Sequence, residues 1–543
     1  MRTEATPGSL GAYDEMVDDS GAPRAGMGTV ADVLTRLGAE GLSERARLRD
    51  AYLDRQGITF SLSGRERPLP LDLVPRVVGA EEWDRVEKGI VQRIKALEMF
   101  LADVYGPGEI LDEGVVPRRL VTTSNHYHRA AYGLVPPNGV RIAVAGIDLI
   151  RDEAGVFRVL EDNLRCPSGV SYVLENRRTL AHVLPEVFAG AQVRPVAEYP
   201  ERLLDALRAA APSDVSDPTI AVLTPGVHNS AHFEHAFLAR RMGAELVEGR
   251  DLFCRDDRLW MRTVRGARPI HVVYRRIDDD FLDPVHFVPN SLLGVPGLLN
   301  AARAGNVAIA NAVGNGVADD KAIYPYVPAM IRYYLGEEAL LPNVDTYDLS
   351  DDDQRHHVIA NLARMVVKPV DGSGGYGLVI GSSATEEQLA EVARTIEGDP
   401  RQWIAQPIVT LSTCPTVVKE GAVEPRHVDL RPFAVNDGDE IFVLPGGLTR
   451  VALPKGSLVV NSSQGGGSKD TWVLDEGDRV VDDEGRPTPP RVTRVRRSAV
   501  ARQSAPVSAD ERLRQQEGQQ QQTLQPYAAL PQGLPADGGD APC

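Results

Sequence analysis

The stretch from Met365 to Ile380 constrains this chain most. It reads as a strand ending in Lys368, a glycine-rich loop containing Gly372, Ser373, Gly374 and Gly375, and a second strand Leu378-Val379-Ile380. Glycines let backbone N–H groups approach phosphate oxygens without Cβ interference, and a lysine at the loop edge adds a point charge for the same phosphates. A dinucleotide fingerprint or a P-loop must open a helix. Here the loop runs straight into apolar, largely β-branched residues. The next helix is predicted only from about Thr385, where Thr385 and Gln388 have capping-box spacing. No G-x-x-x-x-G-K-S/T run occurs. The stretch is read as a hairpin flap over a nucleotide; a plain glycine-rich turn with an exposed lysine fits the loop alone equally well.

The chain of 543 residues leaves room for roughly two to four domains. Its net charge of -17 argues against a general nucleic-acid or anionic-membrane binder, though not against a nucleotide in a local basic pocket. Cys166, Cys254, Cys414 and Cys543 are scattered, which predicts neither a disulfide framework nor a zinc site and fits a reducing cytosol. The polar N-terminus and the lack of any apolar run near the roughly 18–20 residues of a membrane span predict a soluble, cytoplasmic protein.

Helical periodicity starts near Val30 and returns over about Ala80 to Val104, where Glu98 and Asp103 are expected to be solvated. Two strands follow, Val140 to Ile150 and Val156 to Asn163, joined by a polar turn. Glu161 and Asn163 share one face of the second strand. A two-residue loop at Ala154-Gly155 would set Asp148 opposite Glu161. The three oxygen ligands Asp148, Glu161 and Asn163 would then converge, as suits Mg²⁺ shared with phosphates; a solvated polar hairpin is the plainer reading. Strands near Thr219–Leu223, Leu246, Trp260 and His271–Tyr274 alternate with helices and predict a small α/β layer. Asp320 and Lys321 are expected on a helix after Val307–Ala310. Trp403–Pro407 and His427–Val435 read as strands, the latter placing Asp429, Arg431 and Phe433 on one face. From about Thr488 the chain is Pro-, Arg-, Gln- and Ala-rich and is predicted to be disordered.

Lys321, Lys368, Arg431 and Arg450 could neutralise a triphosphate, and Gln406 could reach an adenine edge. Together with the acidic hairpin they form complementary parts around the flap. His228, His232 and His235 lie at helical spacing but lack the carboxylate of a zinc-protease motif, so a structural role is favoured. His126 and His128 read likewise. Arg275 to Asp280 is either a solvated loop or a recognition loop at a strand's carboxyl end. Cys166 lies near the acidic hairpin but has no placeable partner histidine, so no nucleophilic role is assigned to it.

Val366-Val367-Lys368 with the glycine flap, Gln406-Pro407 and Asp429-Leu430-Arg431 resemble an ATP-grasp nucleotide site. Glu161-Asp162-Asn163 precedes the flap, an order that resembles the circularly permuted ATP-grasp proteins, which include glutathionylspermidine synthetase. The wording from Glu161 to Tyr172, with Thr224-Pro225-Gly226, Asn229-Ser230, Asp320-Lys321 and Asn461 to Lys469, resembles the type 2 group of that family.

The resemblance implies an α/β protein: a circularly permuted ATP-grasp core, a pre-ATP-grasp α/β layer and a disordered tail. The expected boundaries are a mainly helical region over 1–130, the magnesium hairpin segment over 131–215, the α/β layer over 216–304, the nucleotide-binding lobes over 305–487 and the tail over 488–543. It implies Asp148, Glu161 and Asn163 on Mg²⁺, Lys321, Lys368 and the loop Gly372, Ser373, Gly374 and Gly375 on ATP phosphates, and Gln406 near adenine. The synthetase carries an arginine two positions before the first magnesium Asp, where this chain has Gly146. The acyl-phosphate clamp is therefore sought among Arg165, Arg431 and Arg450. The implied reaction is ATP-dependent ligation of a small-molecule or peptide carboxylate to an amine, with protein partners in a peptide-modification system and no nucleic acid or membrane. An ATP-dependent kinase on the same scaffold and a non-catalytic nucleotide-binding assembly protein are the alternatives. A metal hydrolase built on the histidine helix is a third.

Overall fold

The computed structural model describes residues 11–62, 65–68, 70–372, 377–460 and 466–475. The expectations for Ser373, Gly374 and Gly375, for 461–465 and for the tail 488–543 lie outside those residues.

The second apolar repeat forms one helix over Ala80–Val104. Trp83, Val86, Ile90, Ile94, Leu97, Phe100 and Leu101 face the largest hydrophobic cluster, while Glu81 and Glu82 complement the helix N-terminus. The first repeat forms Gly28–Gln56, broken at Gly38, whose φ of 59° and ψ of -173° are open only to glycine.

Glu98 and Asp103 depart from the solvated role expected of them. Glu98 accepts from the backbone N–H groups of Arg141 (2.6 Å) and Ile142 (2.8 Å). Asp103 is buried and accepts from the N–H groups of Glu109 (2.8 Å) and Ile110 (2.9 Å), orphan donors opening a short helix, and from the Tyr334 hydroxyl (2.7 Å). Glu98 also shortens the next strand. It begins at Val144 rather than Val140, because the N–H groups of Arg141 and Ile142 are spent on a side chain rather than a ladder.

That strand, Val144–Arg151, is central to an eight-stranded antiparallel sheet. The order along the sheet is Ile441–Val443, Phe433–Asn436, Val144–Arg151, Val423–Arg431, Leu448–Val451 and Gly467–Lys469, with Phe157–Asn163 and Thr413–Val417 paired off this path. A segment from the first third of the chain thus sits between strands from its last quarter. Asp148 does stand opposite Glu161, but not through a two-residue loop. The Asp152 N–H donates to the Val156 carbonyl (3.0 Å), and the Asp152 carboxylate accepts from the N–H groups of Ala154 and Val156 (3.1 and 2.9 Å). Arg151 therefore pairs with Phe157. A register shift between Leu149, paired with Val159, and Asp148 skips Leu160 and restores the pair.

A four-stranded parallel sheet orders Ala308–Ala310, Val272–Arg275, Ile220–Leu223 and Glu245–Val247. The layer expected over 216–304 thus takes an edge strand from beyond residue 304. Arg275, Arg276 and Asp279 are buried rather than solvated, with Arg275 on Asp279 (2.8 Å) and Arg276 on Glu234 (3.1 Å).

The flap belongs to a smaller sheet of Tyr347–Asp348, Trp403–Pro407, Met365–Pro369 and Val379–Ile380. It packs on helices Asp352–Ala360 and Glu386–Gly398 around its own core, which includes Leu349, Val358, Met365, Val367, Ile396 and Ala405. Thr385 and Gln388 close the expected capping box, with N–H donations of 3.2 and 2.8 Å. The helix expected to bear Asp320 and Lys321 spans Gly316–Asp319 and stops before them; the Lys321 N–H donates to the Val370 carbonyl (3.1 Å) instead. Among the described residues no helix is long and apolar enough to cross a membrane.

Replacing Glu98 by Ala strands the two N–H groups at Arg141 and Ile142. Urea unfolding should show a loss of about 1–3 kcal/mol relative to the unchanged chain.

Candidate active site

A cleft of about 170 Å³ opens between the small sheet and the eight-stranded sheet. The period of two along Met365–Pro369 turns Val366 and Lys368 into the cleft and Val367 into the small-lobe core. Gln406 is the cross-strand partner of Val366 and faces the same way. Apolar residues from both sheets, among them Ile150, Leu160, Val366 and Ile380, line the cleft together with Glu161, Lys321, Lys368, Asp429, Arg450 and Gly372 at the flap base.

Asp148 lies beneath these charges and is fully buried. Arg431 reaches it with two nitrogens, Nε to Oδ1 and Nη2 to Oδ2 at 2.8 Å. Arg450 adds Nη2 to Oδ2 at 2.6 Å. Burial would raise this carboxyl, yet Arg431 and Arg450 hold it well below the usual carboxylate range. Arg450 is shared with Asp429, its directly opposed cross-strand partner, through Nε (2.9 and 3.0 Å) and Nη2 (2.5 Å). Burial pushes the Asp429 carboxyl upward against that pull. Glu161 sits 3.4 Å from Lys321 Nζ and 3.8 Å from Arg431 Nη2. Asn163 Nδ2 donates weakly to Asp148 (3.5 Å). Lys321 Nζ also donates to the Gly372 carbonyl (2.6 Å). Lys368 Nζ donates to Gln406 Oε1 (2.6 Å), while Gln406 Nε2 donates to Thr346 Oγ1 (2.8 Å). Burial pulls the Lys368 ammonium down to about 8, with Glu161 opposing.

The fold thus brings together Asp148, Glu161, Asn163, Lys321, Lys368, Gly372, Gln406, Arg431 and Arg450. It does not bring Arg165 with them. That guanidinium turns to Asp319 (2.9 Å) and Asp278 (3.4 Å), 3.5 Å from His126 Nδ1. At Gly146 a Cβ would stand 2.9 Å from Pro167 Cβ and 3.3 Å from Arg431 Cδ, so no arginine fits there. The Arg431 stem fills that space. Sequence reasoning placed Asp429 beside Arg431 but missed its hold on Arg450, because the pairing joins strands 21 positions apart whose register no local signal gives.

His235 is buried against Thr224 Oγ1 (2.8 Å), and burial holds it well below its ordinary value. Burial likewise pulls His126 down to about 3. Cys166 lies against the carbonyls of Arg275 and Ile277 (3.8 and 3.5 Å), and burial pushes its thiol up. Among the described residues no group of three or more His, Cys, Asp or Glu side chains is arranged to hold a metal ion. The hairpin instead offers two facing carboxylates and an amide. That donor chemistry fits a hard cation completing its shell with water and phosphate oxygens.

A model of the circularly permuted ATP-grasp type 2 family matches residues 75–452. An uncharacterized protein of Mycobacterium tuberculosis is 62% identical over 464 residues, 85% of this chain and 84% of that protein. A Frankia alni protein named "Putative glutamate--cysteine ligase 2-3" is 48% identical over 465 residues, 85% of this chain but only 54% of that longer protein. A solved glutathione synthetase-like effector of Globodera pallida in apo form superposes with a TM-score of 0.54 at 12% identity, over 80% of this chain and 98% of that one. At such identity the likeness is one of fold.

The Lys368 ammonium should titrate near 8 rather than near the ordinary 10.5. Between those values the unfolded chain holds a proton that the folded chain has lost, so this lysine makes stability rise with pH across that window. Unfolding free energies measured from pH 8 to pH 10.5 should rise less steeply in Lys368→Met than in the unchanged chain.

Proposed function

The chain belongs to the circularly permuted ATP-grasp type 2 family, and from that premise we propose that it is an ATP-dependent carboxylate–amine ligase working through an acyl phosphate. The observation that carries this reading is the single cleft shared by Glu161 of the early hairpin and Lys368 of the late flap strand. The name of the Frankia alni relative, a ligase of an acid to an amine, supports the same reaction class, although this chain spans about half of that protein.

The apolar lining of the cleft suits adenine, with Gln406 at its polar edge. Lys321, Lys368, Arg431 and Arg450 suit the triphosphate. These cations are compensated by Glu161, Asp148 and Asp429. A nucleotide would take over Lys321, Lys368 and Arg450, which already line the cleft, and this limits reorganisation during reaction. Asp148, Glu161 and Asn163 would hold Mg²⁺, which when bound screens the phosphate charge. A substrate carboxylate oxygen attacks the γ-phosphorus, the bond to the β-phosphate oxygen breaks, and ADP leaves with that electron pair. An amine nitrogen then attacks the acyl carbon, phosphate departs, and the nitrogen's proton is released, leaving an amide. The chain supplies positioning and charge and needs no covalent nucleophile. The acid is a small molecule or peptide, and the setting we propose is a cytoplasmic peptide-modification system with further protein partners.

The test is a screen of acid and amine pairs for substrate-dependent ADP release. Lys368→Ala and Glu161→Gln should each reduce the rate about a hundredfold or more. A stable phosphorylated product with no amide would replace the ligase with a kinase. ATP binding without turnover in any mixture, together with function indifferent to Glu161→Gln, would leave only a nucleotide-binding protein.

A further inference from the structure

Beside the parallel sheet lies a three-stranded antiparallel sheet of Leu252–Arg255, Arg258–Thr263 and Gly266–Ile270. Its inward positions Leu252, Leu259, Met261 and Ile270 are buried in the main core. A sheet with one solvated face ordinarily alternates apolar-in with polar-out. Here the outward positions of the first two strands are Phe253, Arg255, Arg258, Trp260 and Arg262, and the edge strand adds Ala267 and Pro269. In a chain of net charge -17 this face carries three arginines and no acidic side chain. Among the described residues the three arginines make one ion pair, between Arg255 and Asp256 of the turn (3.8 Å). Arg258 makes no ion pair among the described residues.

The arginines and rings are interleaved diagonally. Phe253 pairs directly with Trp260, Arg262 lies over the Phe253 ring (4.8 Å) and Arg255 over the Trp260 ring (5.2 Å). Arg262 Nη1 is further fixed by the carbonyls of Arg250 and Leu252 (2.8 and 2.6 Å). Arginine and large aromatics together are the composition of interface anchors, whereas a merely solvated face favours lysine, glutamate, serine and threonine.

We propose that this face docks a carboxylate-rich polypeptide segment of a partner protein or peptide. Charge complementarity argues for the carboxylates: stacked guanidiniums keep donors free for bidentate capture and lose little freedom on doing so. Two observations argue against a nucleic acid. A guanidinium lies over each ring and competes for the ring face on which a base would stack. The chain's overall charge also repels a long polyanion more than a short acidic segment.

The full chain is titrated into a short fluorescein-labelled polyglutamate peptide and, in parallel, a short labelled oligothymidylate, with anisotropy as readout. Polyglutamate should bind, weaken with added salt, and lose about tenfold or more affinity in the double variant Arg255→Glu, Arg262→Glu. The single variant Arg258→Glu should lose affinity in the same direction. It removes no ring contact, so it guards against misfolding of the double variant. Substrate-dependent ADP release should be unchanged in both, which separates this proposal from the ligase reading. Absence of polyglutamate binding, equal binding by the folded variants, or tighter face-dependent binding of oligothymidylate would overturn it.

Discussion

Everything in the cleft depends on a carboxylate that has no water to rely on. Asp148 has no exposed surface, and an isolated charge so placed would cost several kcal/mol or neutralise itself. It stays ionised because Arg431 and Arg450 reach it from two neighbouring strands of the same sheet. The pairing therefore fixes three strands at once, two of them 283 and 302 positions from the third. Arg450 also lines the cleft. On the ligase reading, a triphosphate that draws the two guanidiniums away must leave Asp148 another cation. Arrival of nucleotide and of Mg²⁺ are then linked, each favouring the other through this one carboxylate.

The cleft lies between the small sheet and the eight-stranded sheet. The flap lobe has a small core of its own and meets the rest through Val370 and Ile404, which are buried in the main core, and through polar contacts. Buried Asp320 accepts from Ser124 Oγ (2.7 Å) on one side and from Arg401 Nη2 (2.6 Å) of the flap lobe on the other. Lys321, the next residue, links the Gly372 carbonyl at the flap base with Glu161 on the hairpin. A dipeptide just past a four-residue helix thus joins both sides of the cleft. Its sequence position after a short strand gave no sign of that joint.

What could be read from the chain was local. The helix Ala80–Val104, the strand Trp403–Pro407 and the Thr385 capping box are set by periodicity and neighbouring side chains, and each stands where those signals put it. The pairing of Asp148 with Glu161 was reached through a wrong loop. A turn longer by one residue and a bulge at Leu160 cancel, so the strand-face argument survived an error in its premise. Side chains spent on distant backbone were not legible. Glu98 and Asp103 look like surface acids on a helix, and only the folded chain shows which orphan N–H groups they satisfy. Arg165 was one of three candidates for the clamp missing at Gly146, but its guanidinium is held by Asp319 and Asp278.

Gly146 shows why an arginine's address in the chain is a poor guide to where its charge acts. The resemblance to the synthetase called for a guanidinium at that position, and its absence turned the search for the clamp to Arg165, Arg431 and Arg450. Yet Gly146 pairs with Phe433 on the adjacent strand, two residues from Arg431, so the Arg431 stem crosses the glycine's bare face. The guanidinium arrives at Asp148 from the neighbouring strand instead of from its own. A side chain at 146 would close that path. The glycine is thus better understood as the condition for Arg431 to reach the site than as the loss of a catalytic group.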